Sequence, residues 1–271
     1  MIHGRLYRRG FSTIRITATL CIVGLVGVIA WQIDAAFQSK NAPIASAVVP
    51  PANSEPAVPS VDWQKSPGIS AATSSSTDPD GLSNIGQNVV STLTNSYTAL
   101  SGAGEYSPAV GAQIATDVAS TLQANVSYQK FSPTDIKTDA DISLARMLAY
   151  RADMRVATAP LLKNKEAEYI IFARYLDTHD ASNLVALKKV AQNYRNAITL
   201  GAKVVVPADA VQYHVAILNS LSEFAATLDA MSNFADDPFA SAALLRTYDT
   251  AERDVLVSFN AAATYYKQKV S

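Results

Sequence analysis

The chain has 271 residues, of which 49% are hydrophobic and 17% are charged, and its formal net charge is -1. This composition is typical of a globular protein and excludes a wholly disordered one. Four arginines and no acid occupy residues 1–15, so the rest of the chain is mildly acidic and has no electrostatic basis for binding nucleic acid. The single cysteine, Cys21, excludes an intrachain disulfide.

An uncharged apolar segment at residues 16–33 predicts a single transmembrane helix. Its eighteen residues would span roughly 27 Å at 1.5 Å per residue, close to the thickness of a hydrocarbon core. Arginines precede the segment and Asp34 follows it, so the positive-inside rule places residues 1–15 in the cytoplasm. We therefore expect a single-pass protein of the cell membrane that contacts lipid through residues 16–33 and exports its C-terminal part.

Three kinds of processing compete with an uncleaved anchor. Residues 28–30, Val-Ile-Ala, have small side chains spaced as in a secretory cleavage site. Residues 8–11, Arg-Arg-Gly-Phe, resemble the core of a twin-arginine export signal. Residues 10–13, Gly-Phe-Ser-Thr, resemble the processing site of type IV prepilins, although Arg15 stands where pilins usually carry a glutamate. We favour the uncleaved anchor, because the apolar run is longer than the core of a secretory signal.

Residues 34–80 are rich in proline, alanine and serine and show no apolar period. They contain seven of the twelve prolines of the chain. Such a composition cannot bury enough apolar surface to offset the loss of chain entropy, which predicts a disordered linker. A flexible coil of this length averages roughly 35–40 Å from end to end. The linker would let the exported domain work away from the bilayer.

From residue 81 onward, apolar residues recur at steps of three or four, which predicts an all-α extracytoplasmic domain over residues 81–271. Glycines, prolines and helix caps divide this pattern into about six or seven helices, and the short connections predict an antiparallel bundle. The expected helices cover residues 82–100, 110–126, 138–160, 164–176, 180–201, 207–231 and 238–269.

Three finer expectations concern side chains within this domain. The Val-Val-Val run at residues 204–206 is interpreted as an extended connector, because a three-residue strand would need a partner. The apolar face of the third helix is expected to comprise Ile142, Ala145, Leu148 and Met154, and that of the fourth Tyr169, Phe172, Ala173 and Leu176. The glutamates expected on solvent faces, with no two of them paired, are Glu166, Glu168, Glu223 and Glu252.

The sequence contains none of the common catalytic or nucleotide-binding motifs, and we predict no catalytic residue, cofactor or metal site. His179 lies between Asp177 and Asp180 at a helix junction, where the three could share a metal ion. We favour a polar loop in which Asp180 caps the next helix, because it explains all three residues without chemistry. His214 falls on an apolar stripe, where a core histidine with one hydrogen-bonded nitrogen is the interpretation we favour over a ligand.

An anchor, a spacer and a bundle without motifs together favour a structural or interaction protein. We expect a membrane-anchored module that binds another envelope protein or itself, as a subunit of a secretion, pilus or cell-wall assembly. A ligand-binding sensor domain is the alternative, although a cytoplasmic segment of residues 1–15 could hardly relay a signal unaided. A cell-envelope enzyme is the third hypothesis.

Overall fold

The computed structural model describes residues 82–122 and 124–270, and both stretches are helical, as the apolar periodicity predicts. They belong to two compact units, and the boundary between the units along the chain lies between Leu122 and Gln123. The predicted cytoplasmic segment, transmembrane helix and linker, together covering residues 1–80, lie outside the described residues. Among the helices that are described, none is both long enough and apolar enough to cross a bilayer.

Within residues 82–122, the first unit contains two helices, α1 (Ile85–Ala103) and α2 (Pro108–Thr121). Gly104 ends α1 with a φ of 72°, a left-handed conformation that glycine adopts at little cost. Pro108 opens α2, and the Ser107 hydroxyl oxygen accepts a hydrogen bond from the Val110 amide at 3.2 Å. Both boundaries follow the glycine and proline signals of the sequence.

Gly111 allows a close approach between α2 and the loop that precedes it. A Cβ atom at Gly111 would lie 2.7 Å from the Tyr106 hydroxyl oxygen, which is closer than real side chains permit. The Tyr106 ring in turn meets the Tyr97 ring edge-on, with centroids 4.7 Å apart. The absence of a side chain at Gly111 therefore lets this aromatic pair join α1 to the turn.

The expected continuation of α2 to residue 126 is wrong, because the helix ends at Thr121. Residues 124–132 have no regular secondary structure, although their apolar spacing still suits a helix. The Phe131 amide instead donates to the Asn219 side-chain oxygen at 2.6 Å, and the Asn219 amide donates to the Phe131 carbonyl oxygen at 3.0 Å. These long-range hydrogen bonds satisfy the backbone amide and carbonyl of Phe131 without a helix.

The second unit is a helical bundle. Its α-helices are α3 (Leu144–Ala157), α4 (Glu168–Thr178), α5 (Ala181–Gly201), α6 (Val211–Asn233) and α7 (Pro238–Val270). Its short strands are β1 (Thr138–Asp139) and β2 (Val206–Pro207), and its 3-10 segments are Pro133–Asp135, Ala159–Lys163 and Ala208–Ala210. Helix α6 packs mainly against α5 and α7 and is the most enclosed of these helices.

Strands β1 and β2 pair in parallel, with Thr138 opposite Val206. From the sequence we expected a helix to start at Thr138, and we expected residues 204–206 to have no strand partner. Both expectations are wrong. Arg146 secures the pair, since its Nε donates to Asp139 at 2.9 Å and its terminal nitrogen donates to the Val205 carbonyl oxygen. A partner 68 residues away along the chain leaves no local signal in the sequence.

Two helices expose side chains that the sequence assigned to the core. Helix α3 starts at Leu144 and buries Met147, Tyr150, Met154 and Ala157. Ile142, Ala145 and Leu148 are exposed, contrary to expectation, whereas the expected burial of Met154 is confirmed. Helix α4 buries Glu168, Ile171, Phe172 and Tyr175, so the expected positions of Ala173 and Leu176 are also wrong. Both helices carry apolar side chains on more than one side, so apolar periodicity alone cannot identify the side that faces the bundle.

The start of α7 is confirmed where Asp237 and Pro238 predict it. The Asp237 carboxylate accepts hydrogen bonds from the amides of Phe239 at 2.8 Å and Ala240 at 3.1 Å. These are amides that a helix leaves without partners at its N-terminus, and a carboxylate there also favours the helix dipole. The expected cap of α5 at Asp180 and its end at Gly201 are likewise confirmed.

We predict that Asp237→Ala lowers the free energy of unfolding by about 1 kcal/mol, because two amides of α7 lose their acceptor. Asp237→Asn keeps a side-chain oxygen in the same place and should retain most of the stability. Urea unfolding followed by circular dichroism measures both variants. An equal loss in both would show that the carboxylate charge, rather than the cap geometry, stabilises the helix.

Candidate functional site

One buried glutamate, one half-buried glutamate and two tyrosines meet inside the second unit, and we call them the carboxylate–tyrosine cluster. Glu168 begins α4, Tyr194 lies on α5, and Tyr248 and Glu252 lie one turn apart on α7. The Tyr194 hydroxyl donates to Glu168 at 2.9 Å, and the Tyr248 hydroxyl donates to Glu252 at 3.1 Å. Each carboxylate therefore has a tyrosine as its hydrogen-bond donor.

Phe224 of α6 lies between the two tyrosines. Its ring centroid is 5.0 Å from that of Tyr194, in an edge-on arrangement, and 5.2 Å from that of Tyr248. Both distances fall within the range of favourable aromatic pairs. The row of three rings fixes the positions of the two hydroxyls and joins α5, α6 and α7.

An asparagine pair borders the cluster. The Asn193 amide donates to the Asn164 side-chain oxygen at 2.6 Å, which ties α5 to the loop before α4. The Asn164 nitrogen is enclosed and has no hydrogen-bond partner among the described residues. The same side chain opposes the rise in the pKa of Tyr194, which places it beside that hydroxyl. A buried polar nitrogen without a partner lowers the stability of the fold.

Burial determines the electrostatics of the cluster. It raises the pKa of Glu168, and the hydrogen bond from Tyr194 offsets only part of that rise. Burial also raises the pKa of Glu252, and the negative charge of Glu168 adds to the effect. In the part of the chain that the structure describes, neither carboxylate forms an ion pair with a lysine or arginine. Protons are therefore bound here more tightly than by exposed glutamates.

The cluster offers a substrate little access. The Glu168 residue is 8% exposed and Tyr248 is 1% exposed. Burial raises the pKa of Tyr194 and of Tyr248, so both hydroxyls stay protonated at neutral pH and act as hydrogen-bond donors. The arrangement can hold protons and can fasten α4 and α7 to the bundle.

The sequence interpretation missed this cluster. Glu168 was expected on a solvent face, which is wrong, and Glu252 is half-buried rather than fully solvated. A partial signal existed, because Tyr248 and Glu252 are four residues apart and share one face of a helix. The contact between Glu168 and Tyr194 depends on how α4 docks against α5, and no spacing in the sequence encodes it.

His214 lies on the core side of α6 and has no solvent exposure. Its Nδ1 atom is 3.1 Å from the Tyr150 hydroxyl oxygen, and its Nε2 atom has no hydrogen-bond partner among the described residues. Burial lowers the pKa of His214 to about 4, against a smaller opposing effect of the Gly201 backbone. The imidazole is neutral at physiological pH and links α6 to α3.

His179 ends α4 in the left-handed conformation, with a φ of 54°, and its amide donates to the Tyr175 carbonyl oxygen at 2.7 Å. Its side chain is exposed, and its ring centroid lies 5.8 Å from that of Tyr175. Asp180 accepts a hydrogen bond from the Ser182 amide, which lowers the pKa of that carboxyl, and Asp177 is exposed. No three histidine, cysteine, aspartate or glutamate side chains within the described ranges are grouped to hold a metal ion.

A second notable feature is an apolar row on the outer side of α3, which we call the α3 outer face. It consists of Leu144, Leu148, Ala152 and Val156, one turn apart from each other and all exposed. Leu148 is 47% exposed and Val156 is 70% exposed. The opposite side of the same helix is buried in the bundle, so α3 carries apolar residues on two sides.

No protein-family model, curated protein or solved structure matches the chain. Inferences about function therefore rest on the structure itself, in which two features of the second unit are relevant. One is the enclosed carboxylate–tyrosine cluster, and the other is the α3 outer face.

We predict that replacing Glu168 and Glu252 together by glutamine raises the melting temperature near neutral pH by about 2–4 °C. A carboxyl group whose pKa is raised on folding stabilises the protein below its ordinary pKa and loses that contribution as the pH rises through the raised value. The gain should therefore shrink as the pH falls toward about 4.5. Thermal unfolding across this range measures it. The control is Glu166→Gln, whose carboxylate pairs with Arg174 near the surface. A gain that does not vary with pH would contradict the prediction.

We predict that His214→Gln weakens the acid sensitivity of the fold. Between the ordinary pKa of 6.5 and the folded value of about 4, the unfolded chain binds a proton that the folded chain does not, so stability falls as the pH falls. That loss reaches on the order of 3 kcal/mol. Glutamine can hydrogen-bond to the Tyr150 hydroxyl as donor or acceptor but cannot titrate. Denaturant unfolding against pH should give a shallower slope for the variant than for the wild type, and an unchanged slope would contradict the prediction.

Proposed function

We propose that the chain is a membrane-anchored helical interaction module of the cell envelope. In this proposal residues 16–33 hold it in the bilayer, residues 34–80 form a tether, and the helical units are extracytoplasmic. The apolar run after four arginines supports the anchor and its orientation. The proline-rich composition supports the tether.

The α3 outer face is the observation that carries the proposal. A helix at the surface of a soluble bundle needs one apolar side, and its other side is normally polar. Helix α3 instead exposes leucine and valine on the side opposite the core. Leu162, in the 3-10 segment that follows, is 75% exposed. Adjacent exposed apolar side chains are typical of interaction sites.

The interior cluster supports a binding role over catalysis. Its carboxylates bond to tyrosines that are themselves packed against Phe224. A catalytic pair would need room for a reacting group within hydrogen-bond distance, and Glu168 and Tyr248 are nearly enclosed. We therefore assign the cluster to the docking of α4 and α7 and assign binding to the surface of α3.

Photo-crosslinking in native membranes tests the proposal. A photoreactive residue in place of Ala152 should form adducts with an envelope component, because this position lies in the middle of the α3 outer face. The same residue in place of Val185, which is exposed on α5, is the matched control. Adducts at Ala152 that disappear in the Leu148→Glu variant are the expected result. Equal adducts at both positions, or none at Ala152, would contradict the binding role. Release of the chain from membranes by alkaline carbonate would contradict the anchor separately.

A further inference from the structure

We propose that the α3 outer face docks on an anionic phospholipid surface, an inference that rests on the proposed function and names the partner of that face. The structure provides two ingredients of a bilayer-binding surface, which are exposed apolar side chains and basic side chains beside them. Surfaces of this kind lie in the headgroup region with the apolar residues inserted into it.

Basic residues surround the apolar row. Arg151 and Arg155 are exposed on α3, and Lys163 and Lys165 are exposed just after it. Over the described parts of the chain, none of these four forms an ion pair with an acid. Asp153 is the one acid on α3 itself. This surface is therefore locally positive on a chain whose formal net charge is -1, and it complements phosphate headgroups.

The positions of the arginines suit a membrane surface. Arg151 follows Leu148 by three residues, or nearly one helical turn. Arg155 follows Leu148 by seven residues, or nearly two helical turns. Arg151 consequently lies beside the apolar row, with its guanidinium carbon 6.0 Å from the Tyr266 ring centroid, and Arg155 lies on the same side of the helix as Leu148, near the Val156 end of the row. Long basic side chains can extend sideways to phosphate groups while neighbouring apolar groups enter the interface.

A second copy of the chain fits this face less well. A two-fold symmetric contact places the same patch against itself, so the unpaired arginines of one copy would meet those of the other. Their repulsion would oppose burial of the leucines. An anionic bilayer has the opposite charge and offers an apolar layer beneath it.

Because the proposed tether keeps the chain near the bilayer, a weak intrinsic affinity of the α3 outer face for lipid would be sufficient. A flexible linker of this length would place the start of the helical part of the chain, at residue 82, roughly 35–40 Å from the anchor on average. Flexible linkers of short to moderate length give effective concentrations on the order of millimolar. Docking therefore needs only modest intrinsic affinity, and it would respond to the headgroup charge and to salt.

The test uses the full chain reconstituted in nanodiscs. Ala152→Cys, combined with Cys21→Ser, carries an environment-sensitive fluorophore, and Val185→Cys in the same background is the matched control. We expect a blue shift and quenching by spin-labelled lipid at Ala152 in discs that contain phosphatidylglycerol, and neither effect at Val185. Arg151→Gln with Arg155→Gln should lower the docking constant by about 30-fold, or about fivefold for each arginine.

Three outcomes would overturn the inference. These are equal signals in purely phosphatidylcholine discs, the absence of a signal at Ala152, and a signal that needs two chains in one disc. Failure of the chain to remain with the disc would overturn the anchor instead. In that case the labelled chain is added to preformed phosphatidylglycerol vesicles, where binding supports the lipid-docking face and a lack of binding overturns it.

Discussion

The enclosure of α6 is the constraint on which the second unit depends. Its neighbours α5 and α7 cover most of its length, so a buried polar group on α6 can find a partner only inside the bundle, and the Ser222 hydroxyl has none among the described residues. The Ser220 hydroxyl meets that of Ser258 on α7 at 2.9 Å, and Thr227 bonds back to its own helix. Asn219 holds the backbone of Phe131, and His214 meets Tyr150. The polar residues of α6 thus determine how the surrounding segments dock.

The carboxylate–tyrosine cluster follows from the same enclosure. Phe224 extends from α6 between Tyr194 and Tyr248, and the two hydroxyls reach Glu168 and Glu252 from either side of it. A buried carboxylate is stable only if it is hydrogen-bonded or protonated. The two tyrosines provide the hydrogen bonds, and the raised pKa values of the glutamates favour protonation. Together with Phe224, the cluster joins four helices. The fold becomes less stable as these glutamates ionise.

Helix α3 relates this interior to the proposed function. Its inner side carries Tyr150 to His214, and its outer side presents Leu148 and Val156 to the surroundings. The residues that fasten the helix and the residues proposed to bind a membrane are therefore interleaved along one sequence of fourteen residues. A change on the inner side should alter stability, whereas a change on the outer side should alter binding and leave the fold intact.

Local physical chemistry in the sequence determined the helical class, the long final helix and the caps. Asp237 and Asp180 accept from nearby amides, and Gly104 ends α1 in the left-handed conformation, because these effects act within one turn. Tertiary structure alone decided the pairing of Thr138 with Val206, the end of α2 and the burial of Glu168. Each depends on contacts between residues far apart in the chain, such as Phe131 with Asn219 and Glu168 with Tyr194. Apolar periodicity shows that a helix has a side suited to burial, but when two sides are apolar, as in α3, only packing against the neighbouring helices decides which one is buried.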